Sequence, residues 1–143
     1  MQLLLKKGAE VDRAAKKGIT PLIIACQQGQ VDVARLLLEK GAEVDRAAED
    51  GGTPLLIACY GGHVDAAQLC LDRGADIHLA ADDGWTPLFA ACRKGHVDAA
   101  RLLLDKGAAV DRVTKSGKTP LGIAQKKGHA SIVALLEELR GGI

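Results

Sequence analysis

The stretch TPLFAACRKGHVDAARLLLDKGAAVDR, residues 86–112, decides how the chain is organised. Residues 20–46 match it at 19 of 27 positions. The Thr-Pro-Leu that opens it occurs four times at steps of 33 residues, and the four threonines are Thr20, Thr53, Thr86 and Thr119. A fixed period of this length is typical of stacked repeats, in which each unit packs against its neighbours.

Each unit predicts the same local structure. Thr is a favoured helix N-cap and Pro a favoured first helical residue, so a short helix should follow Thr20 and end near Gly29. The segment VDVARLLLEK, residues 31–40, has apolar residues at helical spacing and is followed by Gly41. Residues 42–52 then form a short extended piece with a glycine turn. The unit is therefore helix, turn, helix and β-hairpin-like finger.

The repeated pattern G-x-TPL-xx-A-C-xx-G-H-V-D-x-A-x-LLL-xx-G-A-x-V-D resembles the ankyrin repeat, from about Leu3 to Leu139. The resemblance implies an all-α repeat solenoid whose fingers and first helices line a concave face, and that face usually binds another protein. We expect one domain over residues 1–143. It should comprise the tail of a truncated repeat at 1–13, internal repeats at 14–46, 47–79 and 80–112, and a C-terminal capping repeat at 113–143.

Two positions depart from the family pattern. The family's histidine after Thr-Pro-Leu, which helps to join neighbouring loops, is missing, so an apolar contact must replace it or the fingers are looser. The asparagine of the family's Val-Asn pair is also replaced, which puts an inter-finger hydrogen bond in doubt, above all at His78, which we expect to be solvated. The first position holds Ile23, Leu56, Phe89 and Gly122, and the second holds Asp12, Asp45, His78 and Asp111.

The two ends of the chain differ. The opening LLLKKGAEVD matches residues 36–45, so the chain starts in the tail of a second helix and residues 1–8 should fray. This favours a fragment of a longer array or an engineered excerpt. The segment HASIVALLEELRGG ends in a charged helix that is typical of a cap. We predict a monomer, with end-to-end contact through the truncated N-terminus as the alternative.

The residues offer no catalytic, cofactor or metal site. Neither of the two serines lies in a nucleophile elbow, and no glycine-rich segment carries the lysine of a phosphate loop. Packed helices lie about 8–10 Å apart, too far for equivalent cysteines of adjacent repeats to form a disulfide. The sequence also contains no CxxC or CxxH pair of the kind that binds zinc. The repeated histidines and the cysteines Cys26, Cys59, Cys70 and Cys92 are therefore interpreted as structural.

Composition excludes several further classes of function. The formal net charge is +1, and no apolar run approaches the about 20 residues of a membrane span. We expect no signal peptide, since the opening apolar run is too short for one, and four unpaired cysteines suit a reducing compartment, so we predict an intracellular, cytoplasmic protein. A lysine-rich last repeat raises nucleic-acid binding as an alternative, but acidic residues interrupt the basic patch, so we predict no nucleic-acid partner.

Positions that vary between the units are free of the stacking constraint and are the candidates for recognition. They are the finger tips and the ends of the first helices, and the ankyrin resemblance places both in the groove. Aromatic and arginine side chains are enriched at binding hot spots, and acidic tips between basic ends would complement a partner segment with central basic residues. The predicted protein-binding residues are Trp85, Tyr60, Arg93, Lys94, Asp82, Asp83, Glu49, Asp50, Gln27 and Lys118.

Two alternatives remain open at this point. Trp85 could simply pack on its own finger, over Leu88 or Phe89. The whole chain could also be an engineered or excerpted scaffold without a native partner, as the high identity between repeats suggests. The irregular residues Cys70, His78 and Gly122 argue against a consensus design.

Overall fold

Four helix pairs follow one another along the chain in the computed structural model, which describes residues 16–141 and the side chains of residues 16–139. A single 3₁₀ turn at Lys16–Gly18 precedes them. The predicted tail of a truncated repeat and the predicted fraying of residues 1–8 lie outside the described residues. The helices are α1 Pro21–Gln27, α2 Val31–Glu39, α3 Pro54–Tyr60, α4 Val64–Asp72, α5 Pro87–Lys94, α6 Val97–Asp105, α7 Pro120–Lys127 and α8 Ala130–Gly141.

The first helix of every pair begins as the sequence predicts. A threonine is the N-cap, and proline is the first helical residue. The threonine hydroxyl accepts a hydrogen bond from the backbone N–H three residues later, which satisfies one of the free donors of the first turn. The oxygen–nitrogen distances are 3.2 Å for Thr20–Ile23, Thr53–Leu56 and Thr86–Phe89, and 3.0 Å for Thr119–Gly122.

The helices form two layers with the apolar core between them. The first helices α1, α3, α5 and α7 stack in chain order, and so do the second helices α2, α4, α6 and α8. Equivalent leucines and alanines fill the interior, where alanine allows the helices to pack closely. Fully or almost fully buried examples are Leu22, Leu55, Leu88, Ala34, Ala67 and Ala100.

The fingers between helix pairs are irregular loops with tight tips. Residues 16–141 contain no β-strand, so the predicted β-hairpin-like character is not confirmed. The three tips within residues 48–118 close through a backbone bond such as that from Ala48 N–H to the Gly52 carbonyl, 2.9 Å. Neighbouring tips are also joined through the backbone, and we call this row of bonds the tip ladder. It comprises the bonds from the N–H of Glu49 to Lys17 O, of Asp82 to Asp50 O and of Lys115 to Asp83 O, at 2.8–2.9 Å.

A second row of hydrogen bonds joins the bases of the fingers. The Asp45 carboxylate accepts from Asp76 N–H at 3.1 and 3.2 Å, and His78 Nε2 accepts from Ala109 N–H at 2.9 Å. The bond that was in doubt at His78 is therefore present, because an unprotonated imidazole nitrogen accepts as a carboxylate does. The expectation of a solvated ring is wrong, since the ring is half-buried and hydrogen-bonded. Burial raises the pKa of the Asp45 carboxyl, although the bond from Asp76 N–H opposes this.

Apolar residues replace the histidine of the family pattern, as expected, at three of its four positions. Ile23, Leu56 and Phe89 are each at most 5% exposed. The fourth position, Gly122, brings no side chain to the contact.

A histidine follows glycine at the same place in three repeats. Its ring lies against the equivalent glycine of the preceding repeat. A Cβ added at Gly62 would be 2.6 Å from His96 Nδ1, and one at Gly29 would be 2.6 Å from His63 Nδ1. His129 has the same relation to Gly95. Its Nε2–H also donates to the Arg93 carbonyl at 2.9 Å. The recurring histidine is therefore structural, as predicted, and its role is to fill the space that glycine leaves.

All four cysteines are free and buried, in agreement with the prediction. The contact between thiols joins two non-equivalent positions: Cys26 Sγ of α1 lies 3.7 Å from Cys70 Sγ of α4. The pKa of Cys70 is raised, first by its hydrogen bond with Cys26 and then by burial. Burial alone raises the pKa of Cys92 to about 12.

Candidate protein-binding surface

The three aromatic rings of the chain form one stack at the start of α5. Trp85 directly precedes the N-cap Thr86, and Phe89 lies one helical turn further on, on the same side of the helix. The ring centroids of Trp85 and Phe89 are 5.1 Å apart, so Phe89 packs beneath Trp85 as expected. Tyr60, at the end of α3, lies 6.2 Å from Trp85 with an interplanar angle of 35°. Phe89 is buried, Trp85 is half-buried and Tyr60 is 40% exposed.

Two cations from the end of α5 pack on these rings. The Arg93 guanidinium carbon is 5.2 Å from the Trp85 ring centroid, and Lys94 Nζ is 5.1 Å from that of Tyr60. Cation–π contacts of this kind contribute about 0.5–1 kcal/mol at exposed sites. The aromatic stack and the two cations therefore form one cluster of mutual contacts.

Carboxylates flank the stack on two neighbouring finger tips. Asp50 Oδ1 accepts from Gly52 N–H at 2.9 Å, and Asp83 Oδ1 accepts from Trp85 N–H at 3.0 Å. A bond from a side chain to its own backbone two residues on is an Asx turn, and it fixes the carboxylate orientation. Both side chains are exposed.

A small pocket lies between these two tips. Its volume is about 230 Å³. Apolar side chains and aromatic rings contribute to its walls together with the two Asx-turn carboxylates. The lining residues are Asp50, Gly52, Leu56, Ile57, Tyr60, Ala81, Asp83 and Trp85.

The structure brings together most of the predicted binding residues. Ring contacts connect Trp85, Tyr60, Arg93 and Lys94, and Asp50 and Asp83 share the pocket. Their neighbours Glu49 and Asp82 are exposed on the same tips. Gln27 and Lys118 are also exposed, but among the described residues no side-chain hydrogen bond, ion pair or ring contact joins them to the stack. We call the ten residues together the tip surface.

Sequence reasoning missed two apolar residues of the pocket wall. Leu56 and Ile57 line the pocket but are not among the predicted binding residues. The available signal was the replacement of the family's histidine by Leu56, which puts an apolar side chain beneath the tips. The two interpretations of Trp85 also prove compatible, because its half-buried ring packs on Phe89 and still lines the pocket.

Other chemistry finds little support within residues 16–139. These residues contain no group of three or more histidine, cysteine or acidic side chains that could hold a metal ion. The ion pair between Arg35 and Asp32 lies on α2, away from the stack. None of the described helices is long and apolar enough to cross a membrane.

Comparison with known proteins agrees with the repeat architecture. The model of the family described as ankyrin repeats (3 copies) matches residues 1–81 and again residues 71–141. No curated protein is significantly similar to the chain. The family match covers nearly the whole sequence. The chain belongs to the ankyrin-repeat family.

Proposed function

We propose that this chain is a non-catalytic protein-interaction module that binds its partner through the tip surface, on the side that is concave in the family. Ankyrin repeats generally mediate protein–protein interaction and are typically non-enzymatic. The observation that carries the proposal is the half-exposed stack of Tyr60 and Trp85 beside the pocket.

The rigidity of the stack supports a binding role. Truncating Trp, Tyr or Arg at the centre of an interface typically costs the most binding energy. Here Phe89 supports Trp85 from below, and Arg93 packs on its ring. Side chains that are already ordered lose less conformational entropy on binding, so more of the contact energy appears as affinity.

The charges of the finger tips and of the ends of the first helices suit a partner of complementary pattern. Acidic side chains lie at the central tips and basic side chains at both ends, and all are exposed. A complementary charge pattern raises association rates and excludes partners of the wrong sign. The acidic side chains are Glu49, Asp50, Asp82 and Asp83, and the basic ones are Lys16, Lys17, Lys115, Lys118, Lys126 and Lys127.

The proposed organisation follows the repeat period. Each predicted unit, at 14–46, 47–79, 80–112 and 113–143, contains one finger tip followed by one helix pair. We propose that these units form a single monomeric domain that acts inside the cell.

The test is selection of binders from a displayed library of random linear peptides, followed by affinity measurement with the purified chain. The double variant Trp85→Ala, Tyr60→Ala should lose at least about 2 kcal/mol of binding free energy. The matched control is Leu79→Ala, Val113→Ala, which removes two apolar side chains that are 37% and 56% exposed and lie outside the tip surface. Far-UV circular dichroism should show that both variants are folded.

Two results would count against the proposal. Equal affinity of both double variants would remove the stack from the binding site. A library that yields no binder at all would favour the alternative of a scaffold without a partner.

A further inference from the structure

We propose that the pocket between the tips of Asp50 and Asp83 binds an arginine side chain of the partner segment. This inference rests on the proposed function, because the pocket opens on the tip surface. It adds the chemical class of the group that the surface recognises.

The size of the pocket favours a single side chain of a partner as its occupant, and not a metabolite. Small-molecule sites usually have volumes of about 300–1,000 Å³. The pocket here, at about 230 Å³, is smaller and lies between two neighbouring loops. A single long side chain entering from a partner would fill most of it.

The pocket walls match the two parts of an arginine side chain. Leu56 and Ile57 offer apolar surface to its aliphatic stem, and Tyr60 and Trp85 add aromatic surface to the pocket wall, which a weakly hydrated guanidinium can contact. The chain itself supplies an example, because Arg93 packs on the Trp85 ring at 5.2 Å. Arg93 does not line the pocket, so its position there does not fill it.

The carboxylates are oriented for a cation that the chain does not provide. One oxygen of Asp50 and one of Asp83 are held by tip N–H groups. Within the described part of the chain, neither carboxylate forms an ion pair. The second oxygen of each is therefore available to a donor from outside.

Arginine fits this arrangement better than lysine does. A guanidinium is planar, bonds a carboxylate in a forked geometry and is weakly hydrated, whereas an ammonium is a compact and strongly hydrated charge. A forked bond to one Asp leaves further N–H groups for the other. We therefore expect a lysine in the same place to bind more weakly than arginine.

The experiment uses a displayed library of random linear peptides, selected on the full chain. Selected peptides should share an arginine at one aligned position. In a synthetic copy of one such peptide, replacing that arginine by citrulline keeps the shape and removes the charge. The affinity, followed by the fluorescence of the single tryptophan, should fall by at least about tenfold.

Two double variants separate the pocket from general attraction between charges. Asp50→Asn, Asp83→Asn removes both pocket carboxylates, and asparagine can still form the Asx turn. Glu49→Gln, Asp82→Asn removes the same total charge from neighbouring tip residues that do not line the pocket. The first variant should lose at least about tenfold in affinity for the arginine peptide, and the second less than about threefold.

Three outcomes would count against the arginine pocket. Equal losses in the two variants would show long-range attraction without a specific site, and would overturn the inference. Binders without arginine that still depend on Trp85 and Tyr60 would overturn the inference and support the proposed function. Failure to select any binder would count against both.

Discussion

The close approach of histidine to glycine predicts a large effect of a small change, Gly62→Ala. Gly62 has a φ of +73°, a conformation that costs a residue with a Cβ about 1–2 kcal/mol. The added Cβ would also lie 2.6 Å from His96 Nδ1. Cβ atoms essentially never come within 3.0 Å of such an atom, so the imidazole has to shift by several tenths of an ångström.

The chain offers a control that isolates the steric part of this cost. Gly128 has nearly the same backbone conformation, with φ +75°, but a Cβ there would meet nothing within 4 Å. Gly128→Ala should therefore cost only the about 1–2 kcal/mol of the backbone conformation. Overpacking adds about 1–3 kcal/mol, so Gly62→Ala should cost about 2–5 kcal/mol in free energy of unfolding.

Urea denaturation followed by far-UV circular dichroism measures both costs. His96→Gln provides the rescue, because Gln30 already occupies the equivalent position and a flexible side chain can move aside. In a double-mutant cycle, Gly62→Ala should cost less by at least about 1 kcal/mol when residue 96 is glutamine. Equal losses for Gly62→Ala and Gly128→Ala, together with no coupling to His96, would refute the steric argument.

Three further changes test other contacts by urea denaturation. His78→Ala should lower the free energy of unfolding by about 1–2 kcal/mol because the Ala109 N–H loses its acceptor, while His78→Asp should restore most of this stability. If His78→Ala and His78→Asp lose the same amount, the bond contributes nothing. Cys70→Leu should be neutral or stabilising by about 1 kcal/mol, because the equivalent Leu103 is fully buried; a loss above about 2 kcal/mol would contradict this. Because burial raises the pKa of Cys92 to about 12, both states keep this proton below about pH 9, and above it only the unfolded thiol ionises. The contribution of Cys92 to stability should then fall by about 1.4 kcal/mol per pH unit up to about pH 12, so the difference between the wild type and Cys92→Ala should follow that slope; a constant difference would argue against a shifted thiol.

The repeat period explains why so much of the fold could be predicted. The threonine caps, the proline starts and the stacking order all follow from residues that recur at one phase. The contact between Cys26 and Cys70 could not be found in this way, because it joins different phases of neighbouring units. The hydrogen bond of His78 was also missed, because comparison with the family's asparagine considers the residue type and not the acceptor atom.

The sequence predicted most of the residues of the candidate site but fewer of the contacts between them. Variation between units identified Trp85 and Tyr60 as candidates, and helical spacing placed Phe89 beneath the tryptophan. The contacts of Arg93 and Lys94 with the rings depend on rotamers and on the distance between neighbouring units, which the sequence does not contain. The pocket depends on the same distances, so only coordinates could reveal it.

The tip ladder has a consequence for how such a chain can change over generations. Each of its bonds joins a backbone N–H to a backbone carbonyl, as between Asp82 and Asp50, so the bonds between neighbouring tips do not use the exposed tip side chains. If the surface binds as proposed, a point substitution of an exposed tip side chain alters what it recognises at little cost to folding. New specificities then become accessible one residue at a time, without a compensating change in the helices.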